Sequence, residues 1–181
     1  MKALHRAPLL ALLAVTSCGI PATGVVEAGA PASGSLPLTQ VYFVGGGGLV
    51  AMPRNTDRPG DPEAALRLLM AGPLAGEEAS GRRISTEVPA LPTAMAVPSA
   101  ATDEDGNTPP DTPAVTVKGD AMTIRLPPGI DALSDLGVRQ MVCTAASAYR
   151  LTHPSDTPVG AEVTGGGSWR VTASDEGCPV R

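Results

Sequence analysis

Aromatic side chains are scarce in this sequence: Tyr42, Phe43, Tyr149 and Trp169 are the whole complement. That scarcity argues against a stacking platform for sugars or nucleobases and leaves Val, Leu, Ile, Met and Ala to fill a core. Histidine is scarcer still, with only His5 and His153, so a histidine-based metal centre or catalytic triad has almost nothing to draw on. No Gly-x-Ser-x-Gly, Ser-x-x-Lys or His-Glu-x-x-His pattern occurs, which removes common signatures of hydrolases and zinc proteases. Basic charge is in deficit, 13 Lys and Arg against 18 Asp and Glu, and such a balance repels the phosphates of nucleic acid. The sequence therefore implies no nucleic-acid partner, no cofactor, no metal and no catalytic residue.

Long apolar runs are also missing. Crossing a bilayer takes roughly 20 apolar residues, and the run from Ala7 to Val15 is about half of that. Preceded by Lys2 and Arg6, it has instead the layout of an export signal over residues 1–17. The run ends in Val15-Thr16-Ser17-Cys18-Gly19, which resembles the lipobox of bacterial lipoproteins, with Val where Leu is usual. Cleavage there leaves Cys18 to carry the lipid. A diacylglycerol cysteine brings two acyl chains such as palmitate, enough for stable anchoring at about 0.8 kcal/mol per buried methylene. The competing reading is an ordinary secretory signal, which would leave Cys18 as an exposed thiol outside the cell, a liability. Because the mature chain is acidic, membrane attachment is expected to rest on the acyl chains and not on headgroup charge. Residues 18–37 are rich in Gly, Ala, Pro and Ser and read as a flexible tether, with a mean span of about 24 Å.

A single domain is expected over residues 38–181. Leu38 to Val44 is β-branched and aromatic, as an interior strand should be, and Gly45 to Gly48 separates it from the extended Leu49-Val50-Ala51-Met52. A phosphate loop would need a helix start with Lys and Ser or Thr here, so a hairpin turn is the better reading. Asp61-Pro62-Glu63 opens a helix that stops at Gly72-Pro73. Its face of Pro62, Ala65, Leu66, Leu69 and Met70 should cover a sheet, while Glu63 and Arg67 pair on the other side. Ile84 to Val88 and Met95 to Val97 are short candidate strands, and Ala100 to Pro113 is an acidic, proline-rich loop. Val115 to Lys118, the turn Gly119-Asp120 and Met122 to Leu126 form the clearest hairpin. A second helix runs from Asp135 to about Leu151, with Val138, Met141, Val142, Ala145, Ala148 and Tyr149 in one stripe. A last strand pair, Val159 to Val163 and Trp169 to Thr172, turns at Gly165-Gly166-Gly167. The fold class is α+β, a mostly antiparallel sheet with two helices packed on it.

With Cys18 lipidated, Cys143 and Cys178 remain as an even number in an oxidising compartment. Cys143 points about 140° away from Val138 on a helical wheel, toward the polar side of the second helix. A disulfide to Cys178 would strap the carboxyl-terminal tail across that face, and closing such a loop contributes on the order of 3–4 kcal/mol. A catalytic thiol or metal ligand is the alternative, but no second cysteine stands at ligand spacing. Other polar candidates have bland readings beside the functional ones. His153 reads as a solvated residue after the second helix; Asp103, Glu104, Asp105 and Asp111 lack the spacing of a calcium loop. Asp131 and Asp135 could flank a cleft as acid and base or serve as loop and helix cap, and Arg82-Arg83 could hold an anion or be exposed charge.

Several segments together resemble the GerMN domain of sporulation and germination proteins. They are Val41-Tyr42-Phe43-Val44, Leu49-Val50-Ala51-Met52-Pro53-Arg54, Pro62 through Pro73, Glu77 to Gly81, Ser85-Thr86-Glu87-Val88-Pro89 and Gln140-Met141-Val142-Cys143-Thr144, spanning about residues 38–165. Cys18-Gly19-Ile20-Pro21 and Gly24 to Gly29 are similar to the start of short GerMN lipoproteins. Arg125 stands where family hairpins often carry Asp or Asn, and the Gly45–Gly48 turn lacks the acids common there. The resemblance implies a non-catalytic binding module, held by lipid on the outer face of the cytoplasmic membrane. It would act with an envelope protein partner in envelope or spore-related assembly or in germination. A receptor for a small ligand or cell-wall fragment is the alternative.

Overall fold

Backbone hydrogen bonding sets the architecture, beginning with a strand whose two edges are closed by different means. The computed structural model describes residues 37–79, 81–91 and 112–179. The expected signal, Cys18, nearly all of the tether, the expected strand Met95–Val97 and the acidic loop up to residue 111 lie outside the described residues. One compact unit runs from Ser35 to Arg181.

Strand β1 (Thr39–Gly45) pairs antiparallel with β2 (Gly48–Arg54), in the register Tyr42↔Ala51 and Gly45↔Gly48. The glycine run is a hairpin turn, as expected: Gly46 and Gly47 take φ of 64° and 86°, values that a two-residue turn matching strand twist requires. Among the described residues, the other edge of β1 has no partner strand along most of its length. At Val44 it meets Ser85, exchanging N–H···O bonds of 2.8 and 2.9 Å. At Tyr42 it meets a helix. Thr144 Oγ1 accepts from the Tyr42 amide at 3.0 Å, and Gln140 Nε2 donates to the Tyr42 carbonyl at 2.9 Å. Gln140 Oε1 also accepts from the Glu87 amide at 2.8 Å. Both side chains are fully buried.

That helix, α2 (Asp135–Thr152), starts at Ser134, whose hydroxyl accepts from the Gly137 amide at 3.1 Å. Of Asp131 and Asp135, read as loop and helix cap, neither caps the helix: Ser134 takes the role because its side chain sits one residue before the helix, with Asp135 in the first turn. The expected apolar stripe is buried except for the half-buried Tyr149, and Gly137, Gln140, Cys143, Thr144 and Ala146 are buried too, so α2 is a central helix more than one lying on a sheet. Helix α1 (Pro62–Met70) is capped by Asp61, which accepts from the Glu63 and Ala64 amides, and packs on α2 and β1. Its expected Glu63–Arg67 pair does not form. Glu63 accepts from the Val115 amide at 2.9 Å instead, and Arg67 Nε is buried without a partner. A buried backbone donor at a strand edge is worth more to a carboxylate than an exposed helix ion pair of a few tenths of a kcal/mol.

Residues 84–88 give only an isolated bridge at Ser85, next to a two-residue ribbon, β3 (Glu78–Ala79) with β4 (Arg82–Arg83). The main sheet has the order β5 (Ala114–Lys118), β6 (Ala121–Arg125), β7 (Gly160–Thr164), β8 (Arg170–Ser174). Both expected hairpins form, β5–β6 and β7–β8. The two middle strands, β6 and β7, pair in parallel, because α2 carries the chain back to the same end of the sheet before β7 begins. The architecture is thus α+β with two helices and mostly antiparallel pairing. Val41, Phe43, Leu66, Leu69, Met122, Ile124, Met141 and Val163 are among the residues of one continuous core. Among the described residues no helix is long and apolar enough to cross a membrane.

Two substitutions test this scheme. Gln140→Leu fills the space but leaves the Tyr42 carbonyl and Glu87 amide unsatisfied; a loss of about 2–4 kcal/mol is expected in urea denaturation, with faster amide exchange at Glu87. Gly165→Ala drives a methyl into the backbone carbonyl of Asp131, and about 1–3 kcal/mol should be lost. An unchanged midpoint for either would remove its part of the account.

Candidate functional site

Three polar assemblies and one open sheet face are what the fold makes of its charged residues. The first is the strap. Cys143 and Cys178 are joined by a disulfide with a Cα separation of 5.6 Å. Cys143 is 2% exposed: the wheel placed it on the polar side of α2, but the tail it binds shields it from water. A 3-10 turn (Asp175–Gly177) brings Cys178 into place. Beside the bridge, Arg139 Nη2 donates to the Gly177 carbonyl at 2.9 Å and the Tyr42 hydroxyl donates to the Pro179 carbonyl at 3.1 Å. The tail is thereby tied to both α2 and β1.

The second assembly is centred on Arg150, in the last turn of α2. Its Nε donates to Asp175 Oδ2 at 2.7 Å, and its Nη atoms donate to the carbonyls of Ser155 and Thr157. Asp175 Oδ1 accepts from the Val159 amide at 2.8 Å. The Asp175 carboxylate raises the Arg150 pKa against the opposing effect of burial, so this guanidinium stays charged while it clamps the chain entering β7.

The third is at the end of β2. Arg54 forms a two-pronged ion pair with Glu77, at 2.8 Å to Oε1 and 2.5 Å to Oε2, and both side chains are largely buried. Glu77 Oε2 also accepts from the Leu74 amide at 2.9 Å, and the Arg54 guanidinium lies 5.1 Å from the centre of the Phe43 ring. The hydrogen bonds from Arg54 hold the Glu77 carboxyl below its ordinary pKa of 4.5, with burial opposing and the Leu74 amide assisting. The latch shapes a loop around a concavity of about 420 Å³ lined by Pro73 to Glu78, Arg83 and Ile84. Arg83, one of the paired arginines, is exposed there; the side chain of Arg82 is outside the described set.

The remaining candidates are scattered. His153 is exposed, stacked on Tyr149 at 4.3 Å between ring centres and within 2.9 Å of the Thr152 hydroxyl. Asp131 and Asp135 are both exposed and share no hydrogen bond; Asp131 lies against Gly165 and Gly166. Asp103, Glu104, Asp105 and Asp111 lie outside the described residues. Among the described residues no group of three or more His, Cys, Asp or Glu could hold a metal ion. Sequence reading missed Gln140, Thr144 and the Arg54–Glu77 latch. Gln140 and Thr144 lie about 160° and 120° from Val138 on a helical wheel, so the sequence puts them with Cys143 on the polar side and gives no sign of their burial; Arg54 and Glu77 carried no signal either.

The latch has a pH signature. Because the folded pKa of Glu77 is depressed, its stabilisation is fully present above the unfolded carboxyl value and is lost as pH falls through the folded one. Glu77→Gln should therefore destabilise the chain by about 1–3 kcal/mol at neutral pH. The gap from wild type should begin to narrow as pH falls below the ordinary value of 4.5 and close once the depressed folded pKa has been passed, read as paired thermal melts; a gap that stays constant into acid would refute the assignment. Comparison with family models, with curated proteins and with solved structures yields no match for this chain.

Proposed function

We propose that the protein is an exported lipoprotein, anchored through Cys18 to the outer face of the cytoplasmic membrane. Its folded part is a GerMN-like, non-catalytic module that binds an envelope protein partner in envelope or spore-related assembly or germination. The observation that carries this reading is the Cys143–Cys178 disulfide. A bridge holding the tail on the central helix suits an oxidising compartment and takes up both cysteines other than Cys18. The third cysteine then stands alone at the end of a signal-like segment, where a lipid is the chemistry that its neighbours favour. The α+β arrangement, with the resembling segments forming β1, β2, α1 and the middle of α2, is compatible with the GerMN-like part. Among the described residues, His153 stacks on Tyr149, and the ion-paired carboxylates of Glu77 and Asp175 are engaged in structure, which favours a binding role over hydrolysis.

A receptor for a small ligand or wall fragment is favoured by one feature only, the concavity beside Arg83. Its lining includes Leu74, 65% exposed, and the charged residues Glu77, Glu78 and Arg83, of which Glu77 is already held by Arg54.

The intact mass of protein extracted from membranes tests the main reading. Loss of residues 1–17, a diacylglycerol adduct on Cys18 and a gain of two hydrogens on reduction are expected together. Unmodified full-length chain in the cytosol, with free thiols at Cys143 and Cys178, would overturn it. Mild crosslinking in membranes should then recover a specific protein partner, whereas a ligand-driven rise in melting temperature that Arg83→Ala abolishes would favour the receptor.

A further inference from the structure

Among the described residues, the outer face of the main sheet projects its side chains away from the core. Register places its side chains in three rows across the strands. Arg125, Thr164 and Arg170 are neighbours in one row, Thr123, Glu162 and Thr172 in the next, and Lys118 lies in the third. Their inward neighbours Met122, Ile124, Ala161 and Val163 are buried in the core, so the outward ones have water on their side. Lys118, Arg125 and Arg170 are all exposed, and the Arg170 side chain is 71% exposed.

Two things distinguish this face. Its charge runs against that of the chain: three cations stand over one acid, Glu162, which is 3.6 Å from Arg170, on a protein whose formal net charge is −5. Asp120 and Asp131 lie beyond the strand ends, in the connecting turns. It also has no apolar projection. Between the cations are short hydroxyl side chains, and the inward-facing Val171 and Ala173 are packed on the core. A stable protein interface draws on aromatic and aliphatic anchors seated in pockets, and none is present here. Four strands of five residues present a surface of about 19 by 16 Å, wide and shallow, with cations near its corners.

We propose that this face docks the domain flat against anionic phospholipid headgroups of the membrane that holds its anchor. The inference rests on the lipid anchor proposed for Cys18. Each cation at an anionic leaflet favours the docked state by about fivefold, and with Glu162 opposing one of the three the face gains about twenty-five-fold. That is too weak to recruit a free protein, but it suffices for a domain already held at the surface by a tether of about 24 Å mean span. The acids elsewhere on the molecule do not cancel it, because their field is screened over about 8 Å at physiological ionic strength. Net charge alone argued against headgroup attraction; the sheet gathers its cations on one side and lets them act locally. The docked domain turns the β1–β2 hairpin and α1 away from the sheet-bound surface, leaving them open to a partner.

Trp169, the single tryptophan, precedes Arg170 at the edge of this face and reports on docking. The native acylated protein is reconstituted into vesicles of phosphatidylcholine alone or with phosphatidylglycerol, each carrying a headgroup nitroxide lipid. Quenching of Trp169 is expected with phosphatidylglycerol, and high salt should reverse it. Arg125→Glu/Arg170→Glu should lower the docked population at least tenfold while co-flotation and the melting temperature stay unchanged. Equal quenching in both vesicle types, or quenching indifferent to the double reversal, overturns the docking. Binding of the wild type to soluble polygalacturonate with no lipid-dependent quenching also overturns it, assigning the face to an anionic polymer. Failure to co-float even with pure phosphatidylcholine overturns the anchor, and this inference with it.

Discussion

The unsatisfied edge of β1 is the constraint around which this domain is arranged. A strand buried on both faces and paired on only one side leaves backbone amides and carbonyls facing the interior, and each such group left without a partner costs about 1–3 kcal/mol. Here the missing strand is replaced by side chains of α2. Gln140 and Thr144, one helical turn apart, take the carbonyl and amide of Tyr42, and Gln140 reaches on to Glu87. This fixes the rotation of α2 about its own axis and its height along β1. Once α2 is set, the rest of the core has little freedom: Val138, Met141 and Val142 face the remaining apolar surfaces, and the cysteine on the next side is directed toward the tail.

Locks around α2 follow from that placement. The disulfide holds the chain end on its outer side, Arg150 ties its last turn to Asp175 and the entry to β7, and Ser134 closes its first turn while donating to Glu87. Each of these joins segments distant in sequence. Together they make a helix of modest hydrophobicity the organising element of the domain, with the hairpin and the main sheet both referred to it.

Such an arrangement separates surfaces by chemistry. The ends of α2 are engaged in structural hydrogen bonds and ion pairs, through Ser134 at its start and Arg150 in its last turn. What remains open is the outer face of the sheet, with its hydroxyls and cations, and the loop around the Arg54–Glu77 latch. The sign of charge on one surface differs from that of the whole molecule because strand alternation sorts residues by face regardless of total charge.

Much of the local structure was legible in the residues themselves. Asp61-Pro62 starts a helix because the side chain caps and the ring fits the first turn; Gly46-Gly47 and Gly119-Asp120 turn hairpins because they tolerate the required backbone angles; alternation in Val115–Leu126 fixes which side chains enter the core. The pairing of Cys143 with Cys178 was also readable, from cysteine number and a helical wheel. What sequence could not decide was anything that depends on which segments meet. The parallel β6–β7 pairing, the diversion of Glu63 from Arg67 to the Val115 amide, the Arg54–Glu77 latch and the burial of Cys143 all arise from contacts between residues far apart in the chain. Local periodicity specifies the face a residue presents, but only the assembled tertiary structure supplies the partner that face will meet.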